Sequence, residues 1–440
     1  MPHSSEDKDQ FLREDIRQLG RLLGDVIRSQ HGDDVFNLIE SVRQKSIEFQ
    51  RSKDDGARAY LEAAMGSLSQ DHTTQVIRAF SFFSLLANIA EDQHHIRRTR
   101  AHLHAGSAPK EGSIEHAISS VIEAGASTAS LKNFFENALV SPVLTAHPTE
   151  VRRRSMVDRE TEISRLMALR RHHLPADLDA DIRERLFREI ALMWRTRLYR
   201  PERITVKDEI RNALSIVRTS ILPAIIDLYA DWSKEIGEHG QMAPLLKMGS
   251  WLGGDRDGHP GVNGDTLKLA LASQSRVILD WYASEVRKLW SNLAVSTAYA
   301  PVSEELLALA AQTNDPSVHR LDEPYRLALE LIFDRLSAVS QKLTNQWVAF
   351  ATARTNVEPY GHPDAFVSDL KIIIDSLERN GGERLVGSAL RTLVEVAQAC
   401  GFHLMSLDLR QNADVHERTL HELFQRAGGL RHGGSGGVGL

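Results

Sequence analysis

Three segments of this 440-residue sequence concentrate groups able to move protons or hold anions. In the first, His147 stands directly before Pro148 in an Ala-His-Pro-Thr-Glu run. Proline fixes its own φ and steers the preceding residue away from the helical region, so His147 is expected in extended backbone. An imidazole titrates near neutral pH, and one held rigidly suits a general base. A packed histidine hydrogen-bonded to its own loop fits the same residues. A metal does not fit here: His147 and Glu150 lack the second helical histidine of a zincin, and no cysteine lies nearby. Arg152, Arg153 and Arg154 follow at once. Three cations at a helix start oppose its macrodipole. Either an anion or an acidic neighbouring element neutralises part of this charge, or the three occupy a solvated face with surface ion pairs.

The second segment is Gly253-Gly-Asp-Arg-Asp-Gly258. Glycines permit positive φ and close backbone approach, and Asp255 with Asp257 can fix Arg256 in the pose that a two-pronged anion contact requires. A tight loop pinned by buried ion pairs accounts for it equally. A calcium loop does not, because the fifth position counted from Asp255 is His259 and the twelfth is Thr266. A phosphate-cradling Walker loop is excluded too, since no Gly-Lys-Ser or Gly-Lys-Thr follows. In the third segment Arg410 comes two residues after Asp408. Its guanidinium can take a phosphate or carboxylate through its fork, or form a structural ion pair with Asp408 or another carboxylate.

Each segment ends a short apolar run able to form a buried strand: Val140–Thr145, Leu245–Leu252 and Phe402–Leu407. Between and before them, apolar residues recur at helical spacing over residues 10–50, 74–92, 180–199, 209–237, 265–299, 322–351, 365–378 and 384–399. The first of these is interrupted at His31-Gly-Asp-Asp34. Strands separated by long helical stretches pair in parallel through helical crossovers. Polar groups at the carboxyl ends of such strands occupy the active-site face of a (β/α) barrel. The fold expected is therefore mostly α with a partial (β/α) barrel, about three barrel strands being present. We divide it into an N-terminal helical region over 1–139, the first part of the barrel with long helical insertions over 140–427, and a Gly-rich flexible tail over 428–440.

Composition narrows the setting. With 53 Lys or Arg against 59 Asp or Glu, the net charge is −6, without the basic surplus of a nucleic-acid binder. No run approaches the roughly 18 unbroken apolar residues of a membrane span, and the N-terminus lacks the basic start and apolar core of a secretory signal. Cys400 is the sole cysteine, which excludes an internal disulfide and a cysteine zinc cluster and points to a reducing, cytoplasmic setting. It reads as a small buried core residue; Trp251 reads as packing.

At these residues the chain resembles the phosphoenolpyruvate carboxylase family. Val143-Leu-Thr-Ala-His-Pro-Thr-Glu150, with the arginines after it, looks like that family's first signature. Gly249-Ser-Trp-Leu-Gly-Gly-Asp-Arg-Asp-Gly-His-Pro260 resembles a second, whose usual form has Asn where this chain has His259. Leu407-Asp-Leu-Arg-Gln411 resembles a third, and Arg100–Ser107 and Glu323-Pro-Tyr-Arg326 also fit.

The resemblance implies a helix-rich TIM-like barrel that carboxylates phosphoenolpyruvate with bicarbonate, giving oxaloacetate and phosphate. It implies Mg²⁺ or Mn²⁺, no biotin, and an allosteric homotetramer, with no nucleic-acid or membrane partner. By position, His147 carries over as the catalytic base, Arg410 as a substrate-phosphate ligand, and Arg256 as a weaker candidate in or beside the same anionic site. Family chains are much longer. Their remainder supplies the metal-binding carboxylates, a catalytic lysine, further phosphate-binding arginines and a glycine-rich mobile loop. The alternative expectation is thus a catalytically incomplete N-terminal fragment, inactive alone, with a strand edge and apolar helix surface left exposed.

Overall fold

The computed structural model describes residues 9–145, 153–170, 175–198, 204–236, 245–257, 261–313, 317–349 and 357–427. Helices dominate. Along the chain they begin with α1 (Gln10–Ser52), α2 (Asp55–Gly66), α3 (Gln70–His104), α4 (Ile114–Glu123) and α5 (Thr128–Asn137). Strand β1 (Val143–Leu144) precedes α6 (Arg154–Leu169), α7 (Ala176–Arg195), α8 (Val206–Ile216) and α9 (Leu222–Ile236). Strand β2 (Gly249–Ser250) leads into α10 (Gly264–Asn292), α11 (Glu304–Ala310), α12 (Pro324–Thr344), α13 (Pro363–Arg379) and α14 (Glu383–Cys400). Strand β3 (Ser406–Leu407) and α15 (Ala413–Arg426) complete the order.

Local sequence explains several boundaries. At the start of α8, Thr205 and Asp208 bond each other's backbone N–H groups reciprocally. Asn263 and Thr266 do the same for α10, satisfying donors that a helix start leaves orphaned. The break expected at His31–Asp34 is a kink within α1, where Gly32 adopts φ 83°, a conformation that glycine reaches without steric cost. Between α8 and α9 the helix widens into a π turn over Val217–Ile221. Pro223, one residue into α9, has no N–H to donate and its ring crowds the carbonyl four residues back, which accounts for the widening. Val206–Trp232 is, among the described residues, the helical stretch long and apolar enough to cross a membrane. Its Ile210, Leu214, Leu222, Ile225 and Tyr229 lie in a core shared with other helices.

The described residues form two compact units that interleave in sequence. One takes residues up to 108 together with 152–203. Its core joins α1, α3, α6 and α7 through Leu19, Val26, Phe82, Leu86, Ile163, Leu186 and Trp194. The other takes 109–151 and the residues from 204 onward. Helices α4 and α5, which the sequence grouping set with the N-terminal helical region, pack Ile118 and Leu131 into this second core. Tyr229, Tyr282, Tyr325, Phe333 and Phe366 are fully buried there, each stabilising the fold by about 1.5–3 kcal/mol relative to exposure.

The second unit holds the sheet. Its three strands pair in parallel in the order β1-β2-β3, with Val143, Gly249 and Ser406 in one register row and Leu144, Ser250 and Leu407 in the next. All three expected strand runs are present, with their carboxyl ends side by side.

Candidate functional site

The second and third polar segments meet beyond the carboxyl ends of β2 and β3. Past the strands the chains stay joined by an isolated parallel bridge between Asp255 and Arg410. The Arg256 N–H donates to the Arg410 carbonyl at 2.9 Å, and the Arg410 N–H donates to the Gly254 carbonyl at 3.1 Å. Gly254 permits this approach, and Gly253 lets the same turn pack against α10. At Gly254 a Cβ would fall 2.3 Å from the Asp408 carbonyl oxygen, and at Gly253 (φ +87°) it would fall 2.8 Å from Ala270 Cβ.

Side chains extend the contact. The Arg410 guanidinium donates to Asp255 Oδ2 at 3.0 Å and stacks on the Trp251 ring, 3.7 Å from its centroid. The Trp251 indole N–H donates to Asp408 Oδ2 at 3.1 Å. Asp255 uses its other oxygen, Oδ1, to accept from the Asp257 N–H at 3.1 Å. Its side chain is 16% exposed, against 39% for Arg410. The result is a guanidinium fixed on one nitrogen and one face, with the rest of its fork reachable from solvent. Such a group is prepared for a phosphate or carboxylate without having to be ordered first.

The sequence-based roles redistribute accordingly. Arg410 forms the ion pair with a nearby carboxylate that the sequence allows, and the partner is Asp255 rather than Asp408. Asp255 and Asp257 do not fix Arg256: among the described residues no carboxylate pairs with that exposed side chain, which is tied in through its backbone. The reason is geometric, because the parallel bridge brings Arg410 directly opposite Asp255. Trp251 packs, as its type suggests, and what it packs against is the Arg410 guanidinium. No local signal could reveal this, since the partners lie 155 residues or more apart in sequence. His147, with Thr149, Glu150 and Arg152, lies outside the described residues. Arg153 and Arg154 open α6 in the first unit, where Arg153 reaches the Arg197 carbonyl at 3.5 Å and Arg154 approaches Asp158 at 4.0 Å. Cys400 is buried, as expected, and burial pushes its thiol up to about 12. Among the described residues no group of three or more His, Cys, Asp or Glu side chains is placed to hold a metal ion.

The described residues define a mostly helical protein with a small parallel three-stranded sheet, and polar and cationic groups gather past the carboxyl ends of its second and third strands. The particular family follows from comparison with known proteins. The phosphoenolpyruvate carboxylase family model matches residues 12–432, and the chain belongs to that family. It is 68% identical over 437 residues to a phosphoenolpyruvate carboxylase of Caulobacter vibrioides, covering 97% of this chain and 47% of that protein. It is 45% identical over 433 residues to one of Paraburkholderia xenovorans (96% and 44%), and 44% identical over 433 residues to one of Burkholderia mallei (96% and 44%). The chain spans about half the length of the curated relatives it matches.

Proposed function

We propose that this chain supplies the bicarbonate-activating and phosphate-holding part of a phosphoenolpyruvate carboxylase, with its three strands forming the first part of a (β/α) barrel. Bicarbonate attacks the phosphorus of phosphoenolpyruvate, breaking the bond to the enol oxygen and giving carboxyphosphate and the enolate of pyruvate. His147 takes the carboxyphosphate proton, releasing CO₂ and phosphate, and the enolate adds to CO₂ to form oxaloacetate. Arg410 holds the phosphate, and Asp255 and Trp251 keep its guanidinium in place. Arg256 serves the same anionic site at its rim. Fixed cations of this kind lower the barrier by meeting charge where it develops. The described residues offer no set of ligands that fits the Mg²⁺ or Mn²⁺ of the family. The setting proposed is cytoplasmic, in an allosteric homotetramer without biotin that replenishes oxaloacetate.

The observation that carries this reading is the Arg410 guanidinium, pinned by Asp255 and Trp251 beyond the carboxyl ends of β2 and β3 with its remaining fork open. A second reading, that the chain alone is catalytically incomplete, draws on α15. No residue of that helix is buried, and Leu420, Leu423 and Phe424 are each more than half exposed. One assay addresses both. Oxaloacetate formation, coupled to malate dehydrogenase, is measured for the purified chain and for the chain fused to the downstream half of the Caulobacter relative. Activity only in the fusion, lost in its His147→Asn and Arg410→Ala variants, supports both readings. Activity of the chain alone rules out incompleteness, and full activity of the variants rules out the assigned roles.

A further inference from the structure

We propose that His31 and Trp194 form a pH-sensitive latch holding the kink of α1 against α7, closed while the imidazole is neutral and opened by its protonation. Trp194 is among the largest fully buried side chains. Its indole N–H donates to His31 Nε2 at 2.9 Å, although His31 itself is exposed. An indole can only donate, so Nε2 must carry a lone pair. The proton of a neutral imidazole then sits on Nδ1.

A neighbouring side chain corroborates this tautomer. The Gln75 amide faces His31 Nδ1 at 3.3 Å through its nitrogen, while Gln75 Oε1 is buried with no partner among the described residues. Two donors cannot bond each other. Rotating the amide by half a turn, which exchanges two ends of nearly equal size, lets Oε1 accept from Nδ1–H and satisfies the orphaned oxygen. One rotation thus resolves both anomalies, and it does so only for the tautomer that Trp194 requires.

Protonation ends the arrangement, because both imidazole nitrogens then donate and the buried indole N–H faces a donor. The surroundings are already hostile to that charge. From α3, Arg78 donates to the Trp194 carbonyl and lies over the indole ring, 4.8 Å from its centroid. From α7, Arg195 is occupied by Gln30 Oε1 at 3.0 Å. On α1 itself Arg28 pairs with Asp33 at 2.9 Å and Asp25 at 3.6 Å. Partial burial, and secondarily the Arg78 charge, hold the His31 imidazole below its ordinary value. The unfolded chain therefore binds more protons than the folded one. The latch's contribution is complete above the ordinary value of about 6.5 and is lost as pH falls through the lower folded value. His31 adjoins Gly32, the non-helical residue of α1, so opening frees the kink.

The test is a pH titration of the ¹⁵N-labelled 440-residue chain, following the tryptophan indole signals and the histidine ring nitrogens by NMR. We expect one indole signal to move with a midpoint below about 6.5, the His31 ring to carry its proton on Nδ1 at high pH, and the movement to vanish in His31→Phe. A His31 ring protonated on Nε2 at high pH overturns the proposal. So does an indole signal unmoved down to the acid limit of folding, or one that titrates identically in His31→Phe. Because His31 is exposed, the variant is expected to fold, which circular dichroism verifies.

Discussion

Asp255 and Arg410 are joined twice: by a carboxylate–guanidinium contact of 3.0 Å, and by a parallel backbone bridge linking the segments that leave β2 and β3. The bridge sets where the arginine starts, and the carboxylate sets where its guanidinium points. Removing the carboxylate should therefore loosen the guanidinium while leaving the backbone in place. In the fusion with the Caulobacter downstream half, Asp255→Ala should lower kcat/KM about 10- to 100-fold, the cost of misplacing a positioned group by about an ångström. Asp255→Asn keeps an acceptor toward Arg410 and should lose less than about tenfold. Steady-state kinetics with varied phosphoenolpyruvate distinguishes the two, and equal losses would mean that the charge rather than the position matters.

The close approach at Gly254 leads to a stability prediction. An added methyl would lie 2.3 Å from the Asp408 carbonyl oxygen, a backbone atom that can move only if the bridge opens. Gly254→Ala should cost about 2 kcal/mol or more, the usual scale for forcing extra volume into packed structure. Gly249→Ala meets only the Val143 side chain, at 3.1 Å, and should cost less. Urea unfolding followed by circular dichroism ranks the two.

Much of this architecture is legible in the sequence, and the reason is periodicity. Helical stripes such as Ile182, Leu186, Ile190, Met193 and Trp194 mark α7 because a buried helix face needs apolar residues at that spacing. Short apolar runs ending in polar clusters marked β1, β2 and β3. Which side chains meet across the paired segments is not legible. Nothing local in Gly-Gly-Asp-Arg-Asp-Gly announces that Asp255 turns to Arg410 instead of the adjacent Arg256, because strand register decides it. The grouping of α4 and α5 was hidden for a similar reason: Ile118 and Leu131 give an apolar stripe, but a stripe does not name the core it enters.

Tyr229 offers a test of that second core. Its ring is fully buried and its hydroxyl oxygen accepts from the Leu246 N–H at 3.2 Å, just ahead of β2. Tyr229→Phe fills the same space but strands a buried backbone donor. The expected loss is about 1–3 kcal/mol, the desolvation cost of an unpaired polar group. A stability change near zero in thermal or urea unfolding would mean that another acceptor takes over.

Cys400 ends α14 and is 4% exposed, and burial alone pushes its thiol up to about 12. At about pH 8 only about one folded molecule in ten thousand would carry the thiolate, the form that reacts with disulfide reagents. The native chain should therefore react with such a reagent far more slowly than the chain in denaturing urea, where the thiol returns to its ordinary value of about 8.5. The sign of the linkage follows. The folded value lies above the unfolded one, so the folded chain keeps its proton where the unfolded chain gives it up. This contribution to stability is present below about pH 8.5 and is lost progressively as pH rises toward about 12. Cys400→Ala removes the titrating group, so its unfolding free energy, measured in urea at rising pH, should decline less steeply than that of the parent chain. Parallel declines would show that the alkaline loss originates elsewhere.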